Sequence, residues 1–238
     1  MAKTLYPANE NNPYDSVGVT HNAEVEKIIE EIYGKELSVE EINEIVITYL
    51  VDDEVLPSDY VDDFISFDNI ANIVDDDSDY CQETIGNLET SDEVKEFLYT
   101  LFHDISELAE ENVEEYDTYY ELICSLEEAI VSSIALSDSD KLILLITSSV
   151  ARYSLFFWMS NAENYPRSNP NTKGLSLGQW IRVGLKDVAG AATGALTGAV
   201  AGTAIPGIGT ATGAIVGGAA GAVSSSVDEY DKQVKKTE

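Results

Sequence analysis

Two histidines, two cysteines and an abundance of carboxylates are the side chains through which this 238-residue chain could do chemistry. His21 and His103 are far apart in sequence. His21 follows Asp15 by six residues and could ligate or orient a partner, or make a structural hydrogen bond. Cys81 and Cys124 match no zinc-ligand spacing; they can form one disulfide or sit as small buried apolar residues. Asp75, Asp77 and Asp79 begin like a calcium loop, but Tyr80 stands where the loop needs Gly and Gly86 where it needs Glu, so a solvated acidic turn is expected. The run GIGTATG at 207–213 has neither the spacing nor the preceding strand of a dinucleotide-binding loop. No Ser-His-Asp, Cys-His or zinc pattern emerges. The expectation is therefore a protein with no catalytic residues, no metal and no cofactor, and not an enzyme.

The spacing that does stand out belongs to glycine. Gly190, Gly194, Gly198 and Gly202 recur every four residues, Pro206-Gly207 interrupts, and Gly209, Gly213, Gly217 and Gly221 repeat the step. A four-residue step keeps side chains on nearly one face of a helix. With Gly at each step, that face is a groove into which another backbone can come close enough for Cα–H groups to meet carbonyls. The row offset by two residues is mostly bulky: Val188, Leu196 and Val200, then Ile215, Val223 and Val227. The pattern predicts a helical hairpin turning at Pro206 and Gly207, with the eight glycines as helix-packing positions. Each Gly costs a helix about 1 kcal/mol relative to Ala, so eight cost roughly 8 kcal/mol, as much as many whole domains have in net stability. Such helices need packing or an apolar solvent.

Charge divides the chain. Residues 1–160 hold 38 acidic and 6 basic residues, giving −32, and residues 161–238 hold 6 and 7, giving +1. So negative a first part repels phosphates, which excludes direct nucleic-acid binding by it and leaves a basic protein as a possible partner of the acidic unit. From Val188 to Val227, forty residues carry no ionisable group. Two helices of 17 and 19 residues (188–204 and 209–227) reach about 26–28 Å, enough for a thin bilayer core. Trp180, Arg182 and Lys186 lead in with the composition of a membrane–water interface, and Lys232, Lys235 and Lys236 follow on the same side. Only nine of the forty residues are Val, Leu or Ile, so insertion would be weakly driven and would need a trigger, a partner or self-assembly.

The remaining sequence predicts the elements that carry this hairpin. Residues 1–20 read as an extended leader, because Pro7, Pro13 and the Asn run oppose a helix. The leader has no apolar signal-peptide core, which points to cytoplasmic synthesis with membrane association or to signal-independent export. Residues 21–160 read as an acidic bundle of five or six helices. Its stripes are Val25, Ile28, Ile29 and Ile32; Ile42, Ile45, Val46 and Tyr49; Val61 to Ile73; Val94 to Leu108; Tyr119, Leu122, Leu126, Ile130 and Ile134; and the more apolar 141–158. Ser38 with Glu41 and Thr90 with Glu93 read as capping boxes, Asp138 or Ser139 as the cap of the last bundle helix, and Ser176 as the cap of the lead-in. The charge-free part of 141–158 is only ten residues long, which suits a bundle core better than a span. Residues 161–174 read as a linker, 175–230 as the lead-in and hairpin, and 231–238 as a basic tail. The fold class expected is all-α.

The segments GAATGALTGAVAG and GTATGAIVGGAAG resemble the glycine-zipper segments of bacterial membrane-active proteins, among them two-peptide bacteriocins and glycine-zipper envelope proteins. The resemblance covers about residues 176–227 and implies a mode of packing, with membrane permeabilisation as the associated activity. NPYDSVGVTHN (12–22) also resembles the start of uncharacterised bacterial proteins, which implies no activity. Two functions follow as expectations. The first is a membrane-associating protein whose hairpin inserts in a lipid bilayer and self-associates, as a toxin or bacteriocin-like permeabiliser would. The second is a soluble helical binding protein that uses the zipper for intramolecular packing or homo-oligomerisation.

Overall fold

Residues 142–151 carry no charge, and a helix that is apolar on every side must be covered on every side. In the computed structural model, which describes residues 7–35, 37–58, 85–161, 175–204 and 208–237, this stretch belongs to a helix enclosed by its neighbours. Every residue from Leu142 to Leu155 is buried. Seven long helices are described: α1 (Asp15–Ile32), α2 (Val39–Asp52), α3 (Asp92–Glu110), α4 (Tyr116–Ser132), α5 (Asp138–Asn161), α6 (Leu177–Ala204) and α7 (Thr210–Thr237). The protein is all-α, with no strand among the described residues. The stripe expected over Val61–Ile73, the Asp75–Asp79 turn, Cys81, most of the 161–174 linker and the Pro206-Gly207 turn lie outside the described residues.

The ends of the helices follow local chemistry. Ser38 accepts from the Glu41 amide and Glu41 returns a bond to the Ser38 amide, so the capping box opens α2 as expected. The cap of α3 is Ser91, one residue after the expected Thr90; its hydroxyl accepts from the Val94 amide at 3.3 Å. For α5 the cap is Ser137. Its Oγ accepts from the Asp140 amide at 3.1 Å and Asp140 Oδ2 accepts from the Ser137 amide at 3.0 Å, which leaves Asp138 and Ser139 inside the first turn. Ser176 accepts from the Gln179 amide, as an N-cap of α6 should. Gly34 supplies the left-handed residue (φ 70°) just past α1.

Two expectations need correction. The leader is not extended to residue 20: α1 starts at Asp15. Asn9 and Asn12 turn the chain by accepting from the amides of Asn11 and Tyr14, and Pro13 lies just before the helix, where a missing N–H costs nothing. In α4 the buried row is Tyr116, Tyr119, Ile123, Glu127 and Ile130, not a row ending at Ile134. Ile134 lies beyond the helix and is fully exposed, whereas Glu127 turns inward because Arg152 of α5 meets it there.

Three apolar clusters fill the interior, and all three join residues before 161 to residues after 175. One unites α3, α4 and α5 with Ile181 and Val188 of α6. A second unites α1 and α2 with Trp158, Trp180, Val223, Val227 and Tyr230. The third packs Val17, Ile143, Ile146 and Val150 on alanines of α6 and α7. Gly18 lets α1 lie directly on α5: a Cβ there would come within 2.7 Å of the Ser149 carbonyl oxygen and 2.4 Å of the Tyr153 ring.

Candidate functional site

The two glycine rows face each other, antiparallel, between α6 and α7. A Cβ at Gly194 would lie 2.0 Å from the Gly217 carbonyl oxygen, one at Gly198 2.1 Å from that of Gly213, and one at Gly190 2.3 Å from that of Gly221. At the end next to Pro206-Gly207, Gly202 meets Gly209, whose amide donates to the Gly202 carbonyl at 2.9 Å and whose φ is 80°. The obstacles are backbone atoms, which cannot rotate away as a side-chain tip can. Seven of the eight positions predicted to pack helices thus lie on α6 or α7 facing the other row, and Gly209 meets Gly202 from just ahead of α7.

The residues expected at a membrane interface lie elsewhere. Trp180 is buried (2% exposed) and stacks on Trp158 at 5.2 Å between ring centroids, with Tyr230 stacked beside both. Burial pushes the Tyr230 hydroxyl up to about 12. Lys186 is also buried and lies 3.9 Å from Glu229 of α7. Arg182 is half-buried. Their amphipathic chemistry is thus used inside the protein, because α7 and the end of α5 cover this face of α6.

Below the aromatic stack, Asp187 is wholly buried. Its Oδ2 accepts from Ser154 Oγ at 2.5 Å and from Trp158 Nε1 at 2.9 Å, and His21 Nε2 lies 3.4 Å away. Histidine, aspartate and serine thus meet, but the aspartate lies between the other two. A nucleophilic triad needs the histidine in the middle to take the serine proton, and it needs access for a substrate. The cluster binds α1, α5 and α6 together.

A second buried network ties the leader to the core. Arg152 donates through Nε to Glu127 at 3.0 Å and through a terminal nitrogen to Asp15 at 2.6 Å, and also bonds the Pro7 carbonyl. Asn9 and Asn12 donate to the two Glu127 oxygens at 2.6 and 2.5 Å, and Ser148 donates to Glu127 at 3.0 Å. Tyr153 completes the set with a 2.9 Å bond to Asp15. The facing carboxylates hold the Arg152 guanidinium above its ordinary pKa against the opposing effect of burial, which is the largest single influence on it. The NPYD segment is therefore structural: its polar groups close the shell around one buried arginine.

A recess of ligand size, a groove of about 580 Å³, lies between α1, the end of α2 and α7. Val17, Val19, Val55, Ile215, Val216 and Ala219 form its apolar lining, and Glu24, Lys27, Asp53 and Glu54 its charged part. Glu24 is only 3% exposed. Its Oε1 accepts from Lys27 at 3.0 Å, and Lys27 also pairs with Asp53. Glu24 Oε2 has no hydrogen-bond partner among the described residues. Burial holds the Glu24 carboxyl above its ordinary pKa, with Lys27 pulling the other way.

Other chemical candidates are less organised. Cys124 is a free, half-buried thiol raised in pKa by burial, which disfavours the reactive thiolate. His103, Asp104 and Glu107 cluster on an outer turn of α3, as side chains on so acidic a surface often do. Sequence reasoning overlooked Arg152–Glu127, Asp187 and Glu24 as organising residues. For Glu24 a signal existed: it shares the three- and four-residue spacing of Val17, His21 and Ile28, which places an acid on the apolar stripe of α1. Comparison of the chain with protein-family models, with curated proteins and with solved structures returns no match.

Proposed function

We propose that this protein is a non-catalytic helical binding protein. In this reading the acidic helices and the C-terminal glycine-zipper hairpin form one scaffold, the zipper serves intramolecular packing, and the groove beside Glu24 is the binding site. The observation that carries the reading is the backbone-to-backbone meeting of the glycine rows within one chain, which leaves neither row free for another copy or for lipid. Two further features support it. The bulky residues Val188, Val223 and Val227 are fully buried. The exposed positions of the hairpin include Thr197, Thr203, Ala204, Ala211 and Thr212, a poor surface for hydrocarbon. The helix among the described residues that is long and apolar enough to cross a membrane is α5, and 83% of its apolar window is buried inside the protein.

Membrane association is the second reading, favoured by the charge-free run from Val188 to Val227 and by Val200, which is 73% exposed near the end of α6 that leads to Pro206. Flotation with anionic and with zwitterionic liposomes separates the two. The binding-protein reading expects the full-length chain to stay in the aqueous fraction without detergent and to release no trapped dye. Co-flotation with dye release would replace it with the membrane reading.

A further inference from the structure

We infer that the groove between α1, the end of α2 and α7 binds a small amphipathic cation: a protonated amine on an apolar body. The inference rests on the binding-protein reading and names the ligand class of that site. The size is suitable, since about 580 Å³ falls among typical small-molecule sites. The charge is decided by its side chains. Glu24, Asp53 and Glu54 bring three carboxylates against the single ammonium of Lys27, so the groove has a net charge of −2 and would repel an anion. The need for a donor comes from Glu24 itself. A carboxylate oxygen that is buried and unpartnered carries a desolvation penalty, and a turn of the Glu24 side chain toward the groove it lines would let a ligand N–H relieve it. A neutral hydrocarbon would leave that oxygen as it is. The need for an apolar body comes from the lining, where Val19 is 49% exposed and Ile215 36% exposed, two of the few large apolar side chains that the described surface leaves uncovered.

The groove's titratable groups are Glu24 and Lys27 from α1 and Asp53 and Glu54 from the end of α2; α7 lines it with Ile215, Val216 and Ala219, which do not titrate. A cation held against Glu24 favours the ionised carboxyl, so affinity should rise with pH through the range where free Glu24 loses its proton.

Octylammonium is the probe, with octanol and tetramethylammonium as the apolar and cationic halves, measured by calorimetry and by chemical-shift changes on the intact chain. The expected result is that octylammonium binds about tenfold more tightly than either half. Glu24→Gln should weaken it about tenfold while leaving octanol unchanged, and Ile215→Trp, at a partly exposed position, should block both. Circular dichroism checks the fold of each variant; should Glu24→Gln fail to fold, the Ile215→Trp comparison and the pH profile decide. Equal affinity of octylammonium for wild type and for folded variants would mean attraction to the acidic surface alone and would overturn the inference. So would a site that takes a basic amphipathic Lys/Leu peptide and not octylammonium, which would assign the groove to a protein partner. Failure of octylammonium to bind a chain that stays out of liposomes refutes the ligand class alone, whereas co-flotation refutes the binding-protein reading beneath it.

Discussion

Replacing Gly194 by Ala should destabilise the protein, although alanine is the better helix former. Two opposing effects set the size. Alanine lowers the cost of the helical backbone by about 1 kcal/mol. Against this, the new methyl would lie 2.0 Å from the Gly217 carbonyl oxygen, 2.7 Å from its carbon and 3.2 Å from the Gly221 Cα. Ordinary contacts of a methyl group are about 3.5–4.0 Å, so α6 and α7 would have to separate by more than an ångström or so along this stretch. Separation on that scale weakens the neighbouring glycine contacts as well. Overpacking of a well-filled interior costs about 1–3 kcal/mol, and the rigid backbone obstacle puts this case at the upper end. The net loss should be about 2 kcal/mol. Gly178 is the internal control: it lies in the first turn of the same helix with nothing within 4 Å of the added methyl. Gly178→Ala should be neutral or stabilise by up to about 1 kcal/mol. Urea unfolding followed by circular dichroism gives both values. A Gly194→Ala protein as stable as wild type, or one that matches Gly178→Ala, would refute the argument that the glycine rows hold the helices at van der Waals contact.

Arg152→Met should cost about 3–5 kcal/mol, because it leaves Glu127 charged, buried and facing no cation; adding Glu127→Gln should recover part of the loss, and full independence of the two changes in denaturant titrations would show that the pair does not act as a unit. Glu24 makes a pH prediction. Its folded pKa is raised by burial above the ordinary 4.5, so between 4.5 and the raised value the folded state holds more proton than the unfolded one, and this group's contribution to stability falls as pH rises. Relative to Glu24→Gln, wild type should therefore lose stability as pH increases above 4.5, and a wild-type protein that gains relative to the variant over that range would show the sign to be wrong.

Periodicity and spacing were enough to establish much of this protein. Val25, Ile28, Ile29 and Ile32 lie on the buried face their spacing implies, Ser38 and Glu41 form their box, and seven of the eight glycines lie on the facing sides of two helices, with Gly209 just ahead of the second. These features are local: a three- or four-residue step defines a face whatever the neighbours are, and a cap is completed within one turn. Which neighbour covers a face is not local. The same Trp180 and Lys186 that suit a lipid interface suit an aromatic stack and an ion pair, and only the arrival of Tyr230, Trp158 and Glu229 from other helices selects between them. The segment from Pro7 to Asp15 is polar by composition yet lies against the core, because Arg152, far away in sequence, needs the Pro7 carbonyl and the Asp15 carboxylate. Glu24 and Asp187 are likewise two acids among 44 until the packing of α1, α6 and α7 removes their water. The sequence alone determined helical faces, helix ends and the places where backbones can touch. The tertiary structure decided which charges are buried and with whom, since desolvation depends on every element that closes around a group.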